Sequence, residues 1–171
     1  MSDINWEKPF LVDLAFVGLP DISIHLPTYG NFGGPGYSAG VFANSPDPTQ
    51  VDPAPIDPLD EQFKIHDAAS SAATTPSEQS AADLNLIQGI QAVGSGQIDA
   101  EASLYGGAAT LVMVEQLAAR DDLDLLGDEA LINVSRDALQ DIGEGFAALS
   151  ADAVAGSRGS LNSLASDWLF S

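Results

Sequence analysis

The amino-acid sequence predicts an all-α fold in which an antiparallel helix pair follows a glycine-rich loop and further helices pack around the pair. Apolar residues recur at helical spacing over 58–74 and again from residue 77, with only a short turn between the two stretches. Residues 100–119 are apolar over more than half of a helical circumference, and 137–149 are amphipathic. The chain shows no internal repeat and no long Gly/Ser linker, so its 171 residues predict a single domain, 1–171.

The amino-terminal segment leaves two structures open. Its apolar residues fit a short amphipathic helix or a buried strand equally well; they are Trp6, Phe10, Leu11, Leu14, Phe16, Val17 and Leu19. The polar start, 1–7, shows no targeting peptide, and the apolar run 9–20 contains Asp13 and is too short to cross a bilayer. We therefore expect a soluble protein that does not span a membrane and that, if exported, does not use a cleaved amino-terminal signal.

The helix pair has recognisable starts and ends. Asp57 can cap the first helix, Pro58 suits its first turn, and the turn 75–77 should end it. A second helix begins at Ser77 and is broken by the glycines of 94–96. In the first helix the residues at helical spacing are Leu59, Phe63 and the Ile65–His66 pair, and in the second helix the residues turned inward are Leu84, Ile87, Ile90 and Val93. Because the connecting turn is short, the two helices must pack antiparallel.

This hairpin brings a histidine and an aspartate to the same level. At about 1.5 Å per residue, His66 lies roughly 13 Å before the turn and Asp83 roughly 10 Å after it, less than one helical turn apart. Asp99 begins the next helix beyond the second break and has no comparable reason to lie level with His66. Asp83 is therefore the predicted partner of His66, with Asp99 in reserve.

Upstream of the first helix lies the glycine-rich stretch Tyr29-Gly30-Asn31-Phe32-Gly33-Gly34-Pro35-Gly36. A glycine-rich turn can aim several backbone carbonyls at one point, and a carboxylate from a nearby helix completes an oxygen cage suited to calcium. Asp67 can supply that carboxylate, and His66 beside it would lie within reach of the metal. Zinc is a poor alternative because the chain has no cysteine and no histidine cluster. The blander interpretation is a surface turn followed by an ordinary helix.

Together, 29–36 and 55–67 resemble the active site of the secreted phospholipase A2 superfamily. Its calcium loop reads Tyr-Gly-x-x-x-Gly-x-Gly and its catalytic helix reads Pro-x-Asp-x-x-Asp-x-x-x-x-x-His-Asp, both matched without gaps. The segment Ala82-Asp83-Leu84-Asn85-Leu86 is similar to the Ala-Asp-x-x-Leu motif of short viral and microbial members. The resemblance implies calcium ligation by the carbonyls of Phe32, Gly34 and Gly36 and by Asp67. It also implies an oxyanion contact from the Gly34 amide, with His66 as the base and Asp83 as its partner.

The chain departs from most animal members of that superfamily at several positions. Their cysteines are replaced here by Asn31, Gly33, Gln62 and Phe63, so no disulfide can form. Many members place a tyrosine one helical turn after the catalytic histidine to hydrogen-bond the aspartate, whereas this chain has Ser70. Another group, such as Tyr105, Tyr29 or water, must complete that network.

The charge balance limits the kinds of partner that the protein can bind. Five basic and 25 acidic residues give a net charge of −20, which argues against a nucleic-acid partner because phosphates must be neutralised by Lys and Arg. Zwitterionic lipid, or a membrane surface screened by calcium, is the easier substrate surface. Solubility, for instance in a salty medium, is the alternative explanation of the acidity.

Four remaining features carry weaker predictions. The Pro/Asp-rich connection 37–54 should be an exposed irregular loop, and 120–129 a solvated connection without the spacing of an EF-hand. His25 should be a surface or turn residue. The tail 156–171 resembles the uncleaved carboxy-terminal signals of bacterial type I secretion; alternatively its Trp168, Leu169 and Phe170 dock on the core.

The leading functional hypothesis is a secreted, calcium-dependent phospholipase A2 that hydrolyses the sn-2 acyl ester of glycerophospholipids. A rival from another class is a non-catalytic protein of the same fold that binds calcium, lipid or a protein. The presence of both His66 and Asp67 argues for activity. A third possibility is an acidic helical interaction protein whose motifs match by accident.

Overall fold

The fold is largely helical, as the sequence predicts. A computed structural model describes residues 4–14, 22–42, 53–93 and 97–155. Within these residues, four helices follow one another: α1 (Pro58–Ala72), α2 (Pro76–Ala92), α3 (Ala100–Ala119) and α4 (Asp128–Ala155). None of the helices in this described part of the chain combines the length and the apolar character needed to cross a bilayer.

A β-hairpin precedes the helices, so the all-α class is too narrow. Strand β1 (Ile4–Leu14) pairs antiparallel with β2 (Ile22–Tyr29), from Leu14 opposite Ile22 to Ile4 opposite Tyr29. Of the two structures left open for the amino-terminal segment, the strand is the one observed. Its β-branched and aromatic residues suit a strand, and pairing with β2 supplies the backbone hydrogen bonds that periodicity alone does not reveal. His25 lies within β2 opposite Leu11 and not in a turn.

A second, very short hairpin follows the glycine-rich loop, where an irregular exposed connection was predicted. Strands β3 (Tyr37–Ser38) and β4 (Val41–Phe42) are joined through Ala39 and Gly40, which both have positive φ. The Tyr37 ring is buried, with its centroid 5.1 Å from that of Phe42. Part of the predicted loop is therefore ordered by an aromatic pair. Residues 43–52 lie outside the described part of the chain.

Helices α1 and α2 form an antiparallel hairpin with a cap at each start. The Asp57 side chain accepts from the Asp60 amide at the start of α1, and Thr75 and Glu78 form a reciprocal capping box at α2. Gln79 Nε2 lies 2.8 Å from Ser70 Oγ near the turn. Further from the turn, Gln62 of α1 lies against Gly89 of α2.

Helices α3 and α4 complete the core and approach each other closely at glycines. A Cβ atom on Gly107 would lie 2.5 Å from the Ala138 carbonyl oxygen, and one on Gly145 would lie 2.6 Å from Leu104 Cβ. Between α3 and α4 the chain makes a short 3-10 turn, Leu123–Leu125, with Leu123 and Leu126 packed against the core. The tail 156–171, with its predicted secretion signal or docked aromatic cluster, lies outside the described residues.

Candidate active site

The glycine-rich loop is held by the buried carboxylate of Asp60 in α1. The backbone amides of Phe32 (2.9 Å), Asn31 (3.1 Å) and Ile56 (3.0 Å) all donate to it. Gly30 has φ +53°, and a Cβ atom there would lie 2.5 Å from the carboxylate, so only glycine fits. Burial raises the pKa of Asp60 despite these donors. The Asp60 carboxylate in the first turn of α1 thus holds the loop through hydrogen bonds, without a crosslink.

An aromatic cluster occupies the region where the resemblance places cysteines. The Phe63 ring lies 5.5 Å from Tyr105 and 6.2 Å from Tyr29, each in an edge-on arrangement. A Cβ atom on Gly33 would lie 3.1 Å from Phe63 Cδ2, so the phenyl ring packs directly against the loop backbone. The Tyr105 hydroxyl donates to the Gly33 carbonyl at 3.0 Å. Packing and one buried hydrogen bond therefore connect the loop to α1 and α3.

The helix pair brings His66 and Asp83 into contact. Nε2 of His66 lies 2.8 Å from Oδ1 of Asp83, whose side chain is completely buried, while the His66 ring is 16% exposed. His66 and Asp83 therefore lie level with each other along the hairpin, as predicted. Asp99 instead caps α3, accepting from the Ala102 amide at 2.9 Å.

Asp83 is held by two further side chains that the sequence analysis did not identify. Its Oδ2 pairs with Nη2 of Arg120, and Gln79 Nε2 donates to Oδ1 at 3.3 Å. Burial by itself would raise the pKa of Asp83, but the hydrogen bonds from His66 and Arg120 outweigh it and lower the pKa below its usual value. Asp83 is therefore anionic at neutral pH.

Arg120 is itself fixed by a second contact. Its Nε donates to Ser80 Oγ at 2.8 Å, and that buried hydroxyl donates to Oδ2 of Asp122 at 2.6 Å. The prediction that 120–129 is only a solvated connection is therefore wrong at its start. The sequence contained a signal for this contact. The chain has only five basic residues against 25 acidic ones, so few cations are available to pair with a buried carboxylate, and Arg120 is one of them.

The predicted substitutes for the missing tyrosine are engaged elsewhere. The Tyr29 hydroxyl bonds Oδ2 of Asp57, and the Tyr105 hydroxyl bonds Gly33. Arg120, at the carboxyl end of α3, and Gln79 of α2 bond Asp83 in their place. Tyr105 lies nearer the amino end of α3, beside the loop, as does Tyr29.

The position of Ser70 argues against catalysis by a nucleophilic serine. Its Oγ lies 3.2 Å from Nε2 of His66, the same nitrogen that contacts Asp83. In a Ser-His-Asp triad the serine and the aspartate bond opposite nitrogens of the ring, so this geometry is not that of a nucleophilic serine. No side chain of the described residues hydrogen-bonds Nδ1 of His66.

Asp67 lines a pocket of about 210 Å³ that Phe32 of the glycine-rich loop also lines. The pocket is lined by Phe32, Ser38, Lys64, Asp67, Ala68 and Ser71. Oδ2 of Asp67 is buried and has no hydrogen-bond partner in the described structure. Burial raises the pKa of Asp67 to about 6, although the Ser38 hydroxyl and His66 partly lower it. A desolvated carboxylate oxygen without a donor is the kind of group that a bound cation stabilises.

The loop carbonyls are compatible with the predicted ligand set. Among the described residues, none of the hydrogen bonds that hold the loop uses the carbonyl of Phe32 or Gly36, and that of Gly34 accepts one from the Tyr37 amide at 3.0 Å. A carbonyl oxygen has two lone pairs, so Gly34 retains one. No three His, Cys, Asp or Glu side chains gather as a metal-binding group in 4–14, 22–42, 53–93 or 97–155. A cation at Asp67 would therefore depend on backbone carbonyls.

Comparisons of the chain with protein-family models, with curated proteins and with solved structures find no match. What the chain does must therefore be inferred from its own residues.

Proposed function

We propose that this protein is a calcium-dependent hydrolase of the secreted phospholipase A2 type, acting on the sn-2 acyl ester of glycerophospholipids. The observation that supports it most strongly is the contact of His66 Nε2 with the buried Asp83, while no side chain among the described residues bonds Nδ1. The next residue along α1 is Asp67, one of whose carboxylate oxygens has no hydrogen-bond partner within the described part of the chain and which lines a pocket with Phe32 of the glycine-rich loop.

His66 would act as the general base. Its Nδ1 takes a proton from a water molecule as that water attacks the ester carbonyl carbon. Asp83, anionic and hydrogen-bonded to Nε2, keeps the proton on Nε2 and stabilises the imidazolium that forms. Arg120 and Gln79 hold the Asp83 carboxylate against His66, so they are positioning residues.

The carbonyls of Phe32, Gly34 and Gly36 and the carboxylate of Asp67 would hold calcium, and the Gly34 amide would donate to the oxyanion. Bound calcium supplies positive charge that offsets the negative charge developing on the ester oxygen. Without the cation, Asp67 keeps a desolvated oxygen that only protonation can satisfy, consistent with its raised pKa. A ligand set with a single carboxylate would leave a bound divalent ion with net positive charge.

A second candidate function is a non-catalytic calcium- or lipid-binding module. One observation favours it: the pocket at Asp67 is lined by Phe32, Lys64 and neighbouring residues but not by His66. Binding alone, however, would not require a histidine bonded to a buried carboxylate. That carboxylate is held by an arginine on a third helix, and the whole arrangement is what a base needs.

The test is release of fatty acid from phosphatidylcholine vesicles carrying label at either the sn-1 or the sn-2 position. We expect sn-2 release in millimolar calcium and none with chelator. Calcium binding by calorimetry without release at either position would favour the binding module. Release from sn-1, or release that persists in chelator, would overturn the proposed reaction.

A further inference from the structure

Arg120 contacts two residues of α2 that lie about one helical turn apart. Its Nη2 pairs with Asp83, and its Nε donates to Ser80 Oγ at 2.8 Å. Residues three positions apart share a helix face, and the side chains of both Ser80 and Asp83 are completely buried. A guanidinium is planar and its donors are rigidly spaced, so two contacts fix its plane as well as its position. Ser80 is therefore needed, beside Asp83, to fix the orientation of Arg120.

The Ser80 hydroxyl can be oriented in only one way. A guanidinium only donates hydrogen bonds and an ionised carboxylate only accepts them, whereas a hydroxyl donates one and accepts others. The Ser80 proton must therefore point at Oδ2 of Asp122, 2.6 Å away, which leaves a lone pair of Oγ for Nε of Arg120. Asp122 thus fixes the hydroxyl that receives the arginine.

The turn that ends α3 brings Asp122 to this hydroxyl. The Asp121 amide donates to the Ala118 carbonyl at 3.0 Å, and the Asp122 amide donates to the Leu117 carbonyl at 2.9 Å. Asp121 has φ +59°, so the chain reverses through a left-handed residue, as in the turn by which many helices end. The reversal directs the side chain of the next residue, Asp122, back to Ser80 of α2.

From this chain of contacts we infer that Asp122 is a positioning residue of the candidate active site. Through Ser80 it fixes the guanidinium of Arg120, and Arg120 in turn holds Asp83 against His66. Without Asp122 the Ser80 hydroxyl is free to rotate, so the guanidinium loses its fixed acceptor and Asp83 loses a fixed neighbour. The effect on the rate rests on the proposed function, because Asp122 reaches His66 only through other side chains.

The first test is steady-state release of sn-2 fatty acid from phosphatidylcholine vesicles in calcium. Asp122→Ala should lower kcat about tenfold at unchanged KM and unchanged calcium affinity, since it loosens a reactive group without touching substrate or metal. Asp122→Asn keeps an acceptor oxygen and should recover most of the rate.

The matched control is Asp121→Asn, which removes the same charge one residue earlier. Asp121 is exposed, and asparagine tolerates its left-handed conformation, so the wild-type rate should be kept. In an Arg120→Gln background, Asp122→Ala should cause no further loss of rate, because the route from Asp122 to His66 runs through the arginine. A residue that only stabilises the fold would add its loss in that background.

The second test does not need activity. The chain has two histidines, so the Nε2 proton of His66 is assigned in the proton NMR spectrum by its absence from His66→Ala. We expect a downfield signal from this proton in the wild type and in Asp121→Asn. Asp122→Ala should broaden or abolish it, because a loosely held Asp83 lets the proton exchange with water. A wild type that hydrolyses no ester would defeat the proposed function, and this signal would still decide whether Asp122 positions Asp83.

Four results would overturn the inference. They are a full rate in Asp122→Ala, an equal loss of rate in Asp121→Asn, a further loss in the Arg120→Gln background, and an Nε2 signal that Asp122→Ala leaves unchanged. A wild-type spectrum without that signal would do the same, since Asp83 would then not be held against the ring.

Discussion

Asp83 of α2 bonds His66 of α1 through Oδ1, at 2.8 Å, while its Oδ2 pairs with Arg120 at the end of α3. One buried carboxylate therefore connects three helices. The connection differs from a structural ion pair in one respect: it ends on a partly exposed imidazole whose other nitrogen has no partner in the described structure. Rigidity on one side of the ring and access on the other are the two properties that a general base needs.

Arg120→Gln tests whether Asp83 must be held for the reaction. We expect kcat to fall by about tenfold to a hundredfold, the loss typical when a residue that orients a reactive group is removed. Calcium affinity should not change, because Arg120 does not touch the loop. The free energy of unfolding should fall by about 1–3 kcal/mol, since a buried carboxylate loses a charged donor. Steady-state kinetics, calcium calorimetry and urea unfolding measure these three quantities.

The control for that variant is Arg136→Gln, which removes an exposed ion pair with Asp137. Such pairs contribute less than about 1 kcal/mol, so stability and kcat should both stay near the wild-type values. Arg120→Lys should recover part of the lost rate, since it restores the positive charge without the second contact to Ser80. If Arg120→Gln loses stability and keeps the full rate, the residue is structural only.

Asp60→Asn tests whether this carboxylate orders the glycine-rich loop. The amide offers one acceptor oxygen in place of two and brings its own hydrogens towards the donating amides of Asn31 and Phe32. We expect a loss of about 1–3 kcal/mol in the free energy of unfolding and weaker calcium binding. Glu61→Gln, an exposed neighbour on the same helix, is the control. Equal calcium affinity in both variants would mean that the loop is ordered by other contacts.

Phe63→Ala tests whether aromatic packing replaces a crosslink. The ring is buried between Tyr29, Tyr105 and the Gly33 backbone, so its removal leaves a cavity and should cost about 3–5 kcal/mol. Ile65→Ala, which removes a half-exposed side chain two residues away, should cost less than about 1.5 kcal/mol. Denaturant unfolding of the two variants decides the matter, and similar losses would contradict a special role for Phe63.

Asp141 should make the protein less stable at neutral pH. Partial burial, with repulsion from Glu144 and Asp137 added, raises the pKa of Asp141 above its usual 3.8. The native state therefore holds this proton more tightly than the unfolded chain, so stability decreases as pH rises from 3.8 through the native pKa. Asp141→Asn should stabilise the protein at pH ~7, and the gain should vanish below pH ~3.8, where both states are protonated. Asp124→Asn, on the exposed 3-10 turn, is the control, and a gain that persists in acid would contradict the prediction.

The helix pair is the part of the fold that the sequence predicts best. Its first cap was predicted: Asp57 and Pro58 begin α1. Helix α2 begins at Pro76, one residue before the predicted Ser77, because Thr75 and Glu78 form a capping box there. The length of the turn then places Asp83 level with His66 by arithmetic alone. The hairpin β1–β2 was harder to predict, because a strand is stabilised by pairing with another segment and the eleven residues of β1, a mixture of apolar and polar, fit a helix as well.

The network behind Asp83 could not be read from local pattern. Arg120 lies 37 positions after Asp83, and its approach depends on how α3 packs against α2, which periodicity does not specify. Gln79 was within reach of sequence reasoning, since a residue four positions before Asp83 shares its helix face. The resemblance implies a tyrosine against this aspartate, whereas a guanidinium and an amide bond it here.

The most direct measurement compares His66→Ala and Asp67→Ala in two assays, release of sn-2 fatty acid from phosphatidylcholine vesicles and calcium binding by calorimetry. We predict that His66→Ala loses release while binding calcium like the wild type, because His66 is the base and not a ligand. Asp67→Ala should lose both. Release that survives in either variant, or calcium binding that survives in Asp67→Ala, would contradict the proposed roles of these two residues.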